Sequence, residues 1–179
     1  MKYAIFFRNV NLGRPKSPTR LQLEGAFLQA GVETASSFLT NGTIVVTTKP
    51  RQSIKRIMVQ AREGLQRVCG LVEPGFEREV AYLAGLVAAA PFAKVDLSDV
   101  YDCYATFLDE KARIPPKAVL HTSRRDVEVI CTTAHEALSV ARKITQSPGS
   151  PNAFLEKLLG LPATTRAWNT VVRLVAKHG

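Results

Sequence analysis

Apolar and polar residues follow two rhythms along this chain, one of period two and one of period 3.6. Residues 3–8 form an almost unbroken apolar run, Tyr-Ala-Ile-Phe-Phe-Arg. Such a run predicts a strand buried on both faces, with Tyr3, Ile5 and Phe7 on one side and Ala4, Phe6 and Arg8 on the other. Asn9 to Ser17 reads as a loop. Pro18 or Thr19 then opens a helix with apolar positions Leu23, Ala26, Phe27 and Ala30, and Gly31 as its C-terminal cap. Residues 33–39 and 43–48 read as strands flanking Thr40-Asn41-Gly42, and Asn-Gly is a hairpin signal because both residues tolerate positive φ. After Pro50 the rhythm lengthens. Ile54, Ile57, Met58, Ala61, Leu65 and Val68 line one face of a helix over residues 52–69. A strand over 77–83 completes the order β-α-β-β-α-β, that of a ferredoxin-like half.

The second part of the chain has shorter apolar segments. Residues 85–90 predict a short helix or turn ending at Pro91, and 101–108 a strand. Ile114-Pro115-Pro116 is a rigid break. Runs 118–122, 127–132 and 137–142 predict three short strands, and Thr145 to Asn152 a loop. Pro151 suits the first turn of a helix carrying Phe154, Leu155, Leu158 and Leu159, with Gly160 ending it. A last helix follows, capped by Thr164 or Thr165, with Trp168, Val171, Val172 and Val175 on one face and Arg166, Arg173 and Lys177 opposite. Trp168, the only Trp, reads as a buried anchor. No repeat by residue identity is visible. The expected architecture is α+β: a ferredoxin-like half over 1–84, then a smaller antiparallel sheet over 85–179 closed by two C-terminal helices.

Composition sharpens this picture in one respect. At 46% hydrophobic the chain can form a packed core, and its 24 Lys and Arg against 15 Asp and Glu give a net charge of +9. Residues 1–90 carry 12 basic and 6 acidic side chains, residues 91–179 carry 12 and 9. The predicted helix over 52–69 bears Lys55, Arg56, Arg62 and Arg67 on its outer face, beside Lys49 and Arg51, with Glu63 as the only acid there. Such a face is either simply solvated or tracks phosphates. Lys49, Arg51, Lys55, Arg62 and Arg173 are the candidate nucleic-acid contacts. Ile5-Phe6-Phe7-Arg8-Asn9-Val10 is similar to the first strand motif of RNA-recognition folds. The matching strand Thr43-Ile44-Val45-Val46-Thr47 lacks the required aromatics, so that reading fails and Phe6 is expected to be buried.

Little points to catalysis. Cys69, Cys103 and Cys131 are far apart, and His121, His135 and His178 are isolated, so neither a metal site, a cofactor nor a catalytic group is expected. The run Ala4-Ile5-Phe6-Phe7 is too short for a signal peptide and no segment reaches membrane-spanning length. A cytoplasmic protein with no membrane partner is the expectation.

Three motifs stand out: Arg8-Asn9-Val10-Asn11-Leu12-Gly13 after the first strand, Asn41-Gly42-Thr43-Ile44-Val45-Val46 at the hairpin, and Thr164-Thr165-Arg166-Ala167-Trp168-Asn169-Thr170-Val171 near the end. They resemble the bacterial domain-of-unknown-function 1697 family, whose members carry Arg-Gly-Ile-Asn-Val-Gly, Gly-Asn-Val-Val and Thr-Thr-Arg-Asn-Trp-Asn-Thr-Val. Ala89-Ala90-Pro91-Phe92 and Thr106-Phe107-Leu108 also sit where the family has similar residues. Asn9, the order Asn41-Gly42, Ala167 and the absence of a Lys before Asn152 are departures. The resemblance implies a two-part α/β protein without an established activity. It singles out Arg8, Asn9, Asn11, Asn41, Thr164, Thr165, Arg166 and Asn169 as a candidate ligand-binding set, since Arg and Asn present planar donors to phosphate or carboxylate. The structural reading is that these residues satisfy backbone groups in tight loops. The functional expectation is a protein that binds an anionic ligand, nucleic acid or a phosphorylated small molecule. An enzyme with a polar site between the halves and a protein-interaction module are the alternatives.

Overall fold

Strand β1 (Lys2–Phe7) lies inside a four-stranded sheet because both of its faces are apolar; Ala4, Ile5, Phe6 and Phe7 are all fully buried. This computed structural model describes residues 1–115, 118, 120–144 and 146–179. On one side β1 pairs with β3 (Thr43–Thr47), on the other with β4 (Gly75–Glu79), and β2 (Thr34–Phe38) pairs outside β3. All pairs are antiparallel, and the order β2-β3-β1-β4 is the ferredoxin-like one. Helix α1 (Arg20–Gln29) starts in a capping box: Thr19 Oγ1 accepts the Gln22 N–H at 3.2 Å, and Gln22 Oε1 accepts the Thr19 N–H at 2.8 Å. Helix α2 (Ile54–Cys69) ends where Gly70 turns left-handed, at φ 73°. The two helices bury Leu23, Phe27, Ile57 and Leu65 against Ile5, Phe7, Ile44 and Val46 of the sheet. Each such fully buried side chain stabilises the fold by about 1.5–3 kcal/mol.

Three expectations for this region change. The ladder between β2 and β3 closes at Phe38 opposite Thr43, so the connection has four residues, and positive φ falls on Leu39 (62°) and Gly42 (70°) instead of on Asn41 and Gly42. Val68 is 59% exposed, because the left-handed Gly70 folds Leu71 back to fill that end of the core in its place. The strand expected over 77–83 is β4 only as far as Glu79. Glu79 stands opposite Tyr3, near the start of β1, so the ladder runs out of partner. The apolar segment beyond satisfies its own backbone as helix α3 (Val80–Ala88), burying Val80 and Leu83. That helix also replaces the short element expected over 85–90.

The second sheet is built around β5 (Val100–Leu108). It pairs antiparallel with β7 (Glu136–Arg142) and β8 (Ala163–Ala167), and β6 (Val127–Thr132) pairs outside β7. Helix α4 (Pro151–Leu159) is capped by Ser150, whose Oγ accepts the Ala153 N–H at 3.2 Å, and ends at the left-handed Gly160. Its Leu155 packs with Leu108, Val129, Ala137 and Ala163. Arg142 ties β7 to its neighbours through Glu128 Oε2 at 2.8 Å and Asp99 Oδ1 at 2.7 Å. The last helix, α5 (Trp168–His178), begins two to three residues later than a cap at Thr165 or Thr164 would require. Thr164 and Thr165 are strand residues, because the open edge of β5 offers them a ladder. On α5 the buried positions are Val171 and Leu174, while Trp168, Val172 and Val175 are half-buried; the Trp168 ring lies 5.3 Å from that of Phe92. Of the strand expected over 118–122, the described residues show only a bridge between His121 and Glu128. Val119 of that strand, Pro116 of the proline break and Thr145 of the loop lie outside the described residues.

The chain divides into two compact units, residues 1–83 with 178–179, and residues 84–177. Their sheets share one topology, β2-β3-β1-β4 and β6-β7-β5-β8, with a helix before and a helix after each last strand. The registers place Tyr3, Ala4 and Phe6 of β1 where β5 has Tyr104, Ala105 and Phe107. Arg78 stands opposite Ala4 as Arg166 stands opposite Ala105, and each donates from Nη1 to the preceding carbonyl, at 2.7 and 2.9 Å. Each central strand also gains one bond beyond its end, Phe7 N–H to the Gly42 carbonyl and Leu108 N–H to the His135 carbonyl, both 2.9 Å. The repeat absent at the level of residue identity is therefore present in topology. Among the described residues, α1 has no helical counterpart between β5 and β6; Ala112, Ile114 and Leu120 pack there instead.

Candidate nucleic-acid interface

Helix α2 holds four of its cations away from the core because Ile57, Met58, Ala61 and Leu65 occupy the inner face. Lys55, Arg56, Arg62 and Arg67 are exposed, together with Val59, Gln60, Glu63 and Gln66. The rise of an α-helix spreads Lys55 to Arg67 over about 18 Å. Lys55, Arg56, Val59, Gln60 and Glu63 line one shallow open hollow. Lys49 and Arg51 are exposed in the turn before the helix, where Gln52 Oε1 accepts the Lys49 N–H at 2.7 Å and Gln52 Nε2 donates to the Gly31 carbonyl at 3.0 Å. That turn is thus fixed to the end of α1. Arg62 Nη2 reaches the Val72 carbonyl at 3.4 Å.

The loop after β1 and the hairpin loop are brought together within the first unit. Leu12 N–H donates to the Thr40 carbonyl at 2.8 Å, and a Cβ added to Gly42 would lie 2.6 Å from that of Val10. Only glycine fits this approach. The partner of this loop is Glu73, which no local signal in the sequence marks. Arg8 Nη1 donates to its Oε2 at 2.8 Å and Asn9 Nδ2 to its Oε1 at 3.2 Å. Asn9 holds this position with a left-handed backbone, φ 51°. Asn11 donates its N–H to Ser17 Oγ at 3.3 Å, and Asn41 Oδ1 accepts from Thr43 Oγ1 at 2.8 Å. No spacing rule links Arg8 to Glu73, sixty-five residues on; the resemblance named Arg8 but not its acid.

The terminal motif lies in the second unit, and its side chains point to both faces of β8. Thr165 Oγ1 meets Thr106 Oγ1 at 2.8 Å and donates to Asn152 Oδ1 at 3.3 Å. On the other face Thr164 and Arg166 are buried, and Arg166 Nη1 donates to Thr164 Oγ1 at 2.8 Å. Burial pulls the Arg166 guanidinium down to about 10, so it is still charged at neutral pH. With 7% of its surface exposed, Arg166 does not join an exposed basic stripe. Asn169 and Arg173 are exposed on α5. Burial raises the Cys103 thiol and the Tyr104 phenol above their usual values, which makes neither an activated nucleophile. Among the described residues no group of three or more His, Cys, Asp or Glu is arranged to hold a metal ion.

Fold and site together define an α+β protein of two four-stranded antiparallel sheets, the first of which carries a cation-rich helix face. The family described as "Protein of unknown function (DUF1697)" matches residues 1–142, and the chain belongs to that family. Among solved structures it is similar to the conserved bacterial protein SP0830 from Streptococcus pneumoniae. The two share 15% sequence identity with a TM-score of 0.68, over 98% of this chain and 97% of the other, a likeness of fold alone. No curated protein matches the chain. No helix among the described residues is long and apolar enough to cross a membrane.

Proposed function

We propose that this protein binds an anionic ligand, nucleic acid first of all, on the outer face of α2. The observation that carries this reading is the exposed set Lys55, Arg56, Arg62 and Arg67 on one helix with a single carboxylate, Glu63, among them. Lys49 and Arg51 extend the same positive field at the helix start. Neighbouring like charges repel, and a polyanion relieves that repulsion while releasing its own counterions. The test is binding of short duplex DNA, single-stranded DNA and RNA, titrated against salt. Micromolar or tighter binding with a steep salt slope, reduced at least tenfold by Lys55→Glu with Arg62→Glu, is the expected result. No binding at low salt overturns the reading.

A second reading has its own observation. Arg8 and Asn9 grip both oxygens of Glu73, a geometry that suits a carboxylate or phosphate. A phosphorylated small molecule at this loop would have to displace Glu73. Glu73→Gln would then tighten its binding, measured as a thermal shift with phosphorylated metabolites.

A further inference from the structure

We infer that α2 reads the major groove of duplex DNA. The inference rests on the nucleic-acid reading above and adds the form of the polymer and the mode of docking. At 100° per residue Lys55 and Arg62 make one row along the helix, and Arg56 and Arg67 a second row roughly 100–120° away. Val59, Glu63 and Gln66 fall in the strip between the rows, and all three are exposed. This is the arrangement a groove requires: outer cations on the two phosphate walls, central side chains on base edges. A helix with its side chains is about 10–12 Å across and the major groove of B-form DNA about 12 Å wide. In that strip Val59 suits a thymine methyl, Glu63 accepts from a cytosine amine, and Gln66 matches an adenine edge. This gives a role to Val59, which is 56% exposed in the midst of cations.

Two observations favour duplex DNA over the other polymers. Helix α2 has no aromatic residue, hence no platform on which single-stranded bases stack. The major groove of an RNA duplex is too deep and narrow for a helix. The protein also contains its own control. Helix α4 occupies the place of α2 in the repeated topology, yet it carries only Glu156 and Lys157 as charges. The fold of the module therefore does not require the cationic face.

The test is fluorescence anisotropy of the full chain with a random-sequence duplex DNA pool, a duplex RNA and a single strand, each challenged with a major-groove binder (methyl green) and a minor-groove binder (netropsin). Duplex DNA should bind at least tenfold tighter than the other two, and methyl green should displace the protein where netropsin does not. Selection from the pool should give a base preference that Glu63→Gln alters, while Lys55→Gln weakens all sequences alike. Equal binding to the single strand or to duplex RNA, or displacement by netropsin alone, overturns the groove inference and leaves the nucleic-acid reading standing. Binding to no nucleic acid removes both.

Discussion

The two units hold the same sheet, strand for strand, and differ in what they place on the helix before the last strand. In the first unit that helix is α2, with sixteen residues and four exposed cations. In the second it is α4, with nine residues and one exposed cation, Lys157. Positions that carry the fold agree between them: Tyr3 with Tyr104, Ala4 with Ala105, Phe6 with Phe107, Arg78 with Arg166. Loop ends do not. Where Arg8 and Asn9 follow β1, Asp109 and Glu110 follow β5, and Gly42 corresponds to His135. The comparison separates what the architecture needs, apolar central strands and a paired arginine, from what one unit alone adds.

Matched substitutions test that separation, and the largest effects lie at the shared positions. Phe6→Ala and Phe107→Ala each remove a fully buried ring, and each should cost about 3–5 kcal/mol in urea denaturation. A much smaller loss at either one would break the equivalence. Gly42→Ala forces a Cβ into Val10 at positive φ and should cost about 2–4 kcal/mol. His135→Ala, at the corresponding exposed position, should change stability by no more than about 0.5 kcal/mol. Arg166→Ala removes a buried cation with bonds to Thr164 Oγ1 and the Thr165 carbonyl, a loss of about 2–3 kcal/mol. The half-buried Arg78 should lose less on the same change, and a reversed order would mean that the two arginines do different work. The caps lose less than the core positions: Thr19→Ala and Ser150→Ala should each cost about 1 kcal/mol, read as a fall in thermal midpoint.

How much of this was legible in the sequence follows the same division. Elements with a strong local signal were readable: the apolar run of β1, the Thr19 cap with Gly31 beyond α1, the 3.6-residue rhythm of α2, and Pro151 with Gly160 around α4. Elements fixed by distant pairing were not. Thr164 and Thr165 have the chemistry of a helix cap, yet the edge of β5, more than fifty residues away, takes them as a strand. Residues 80–83 are apolar throughout and carry no period, so where β4 gives way to α3 depended on where β1 begins. The repeated topology stayed hidden because the units share only scattered identities. Of the candidate site, the cations of α2 were evident from charge and spacing. The Glu73 partner of Arg8 and the burial of Arg166 are tertiary facts without a local signal.

Whether the cations of α2 serve a polyanion or the fold can be read from a single measurement. Salt-titrated binding of duplex DNA would be compared for the natural chain, for Lys55→Glu with Arg62→Glu on α2, and for Lys157→Glu on α4, with thermal stability followed in parallel. If they serve a polyanion, all three proteins melt alike. Only the α2 variant then loses affinity, by at least tenfold, with a salt slope shallower by about two. Equal affinity in all three, or an α2 variant that loses stability instead of binding, would contradict that role.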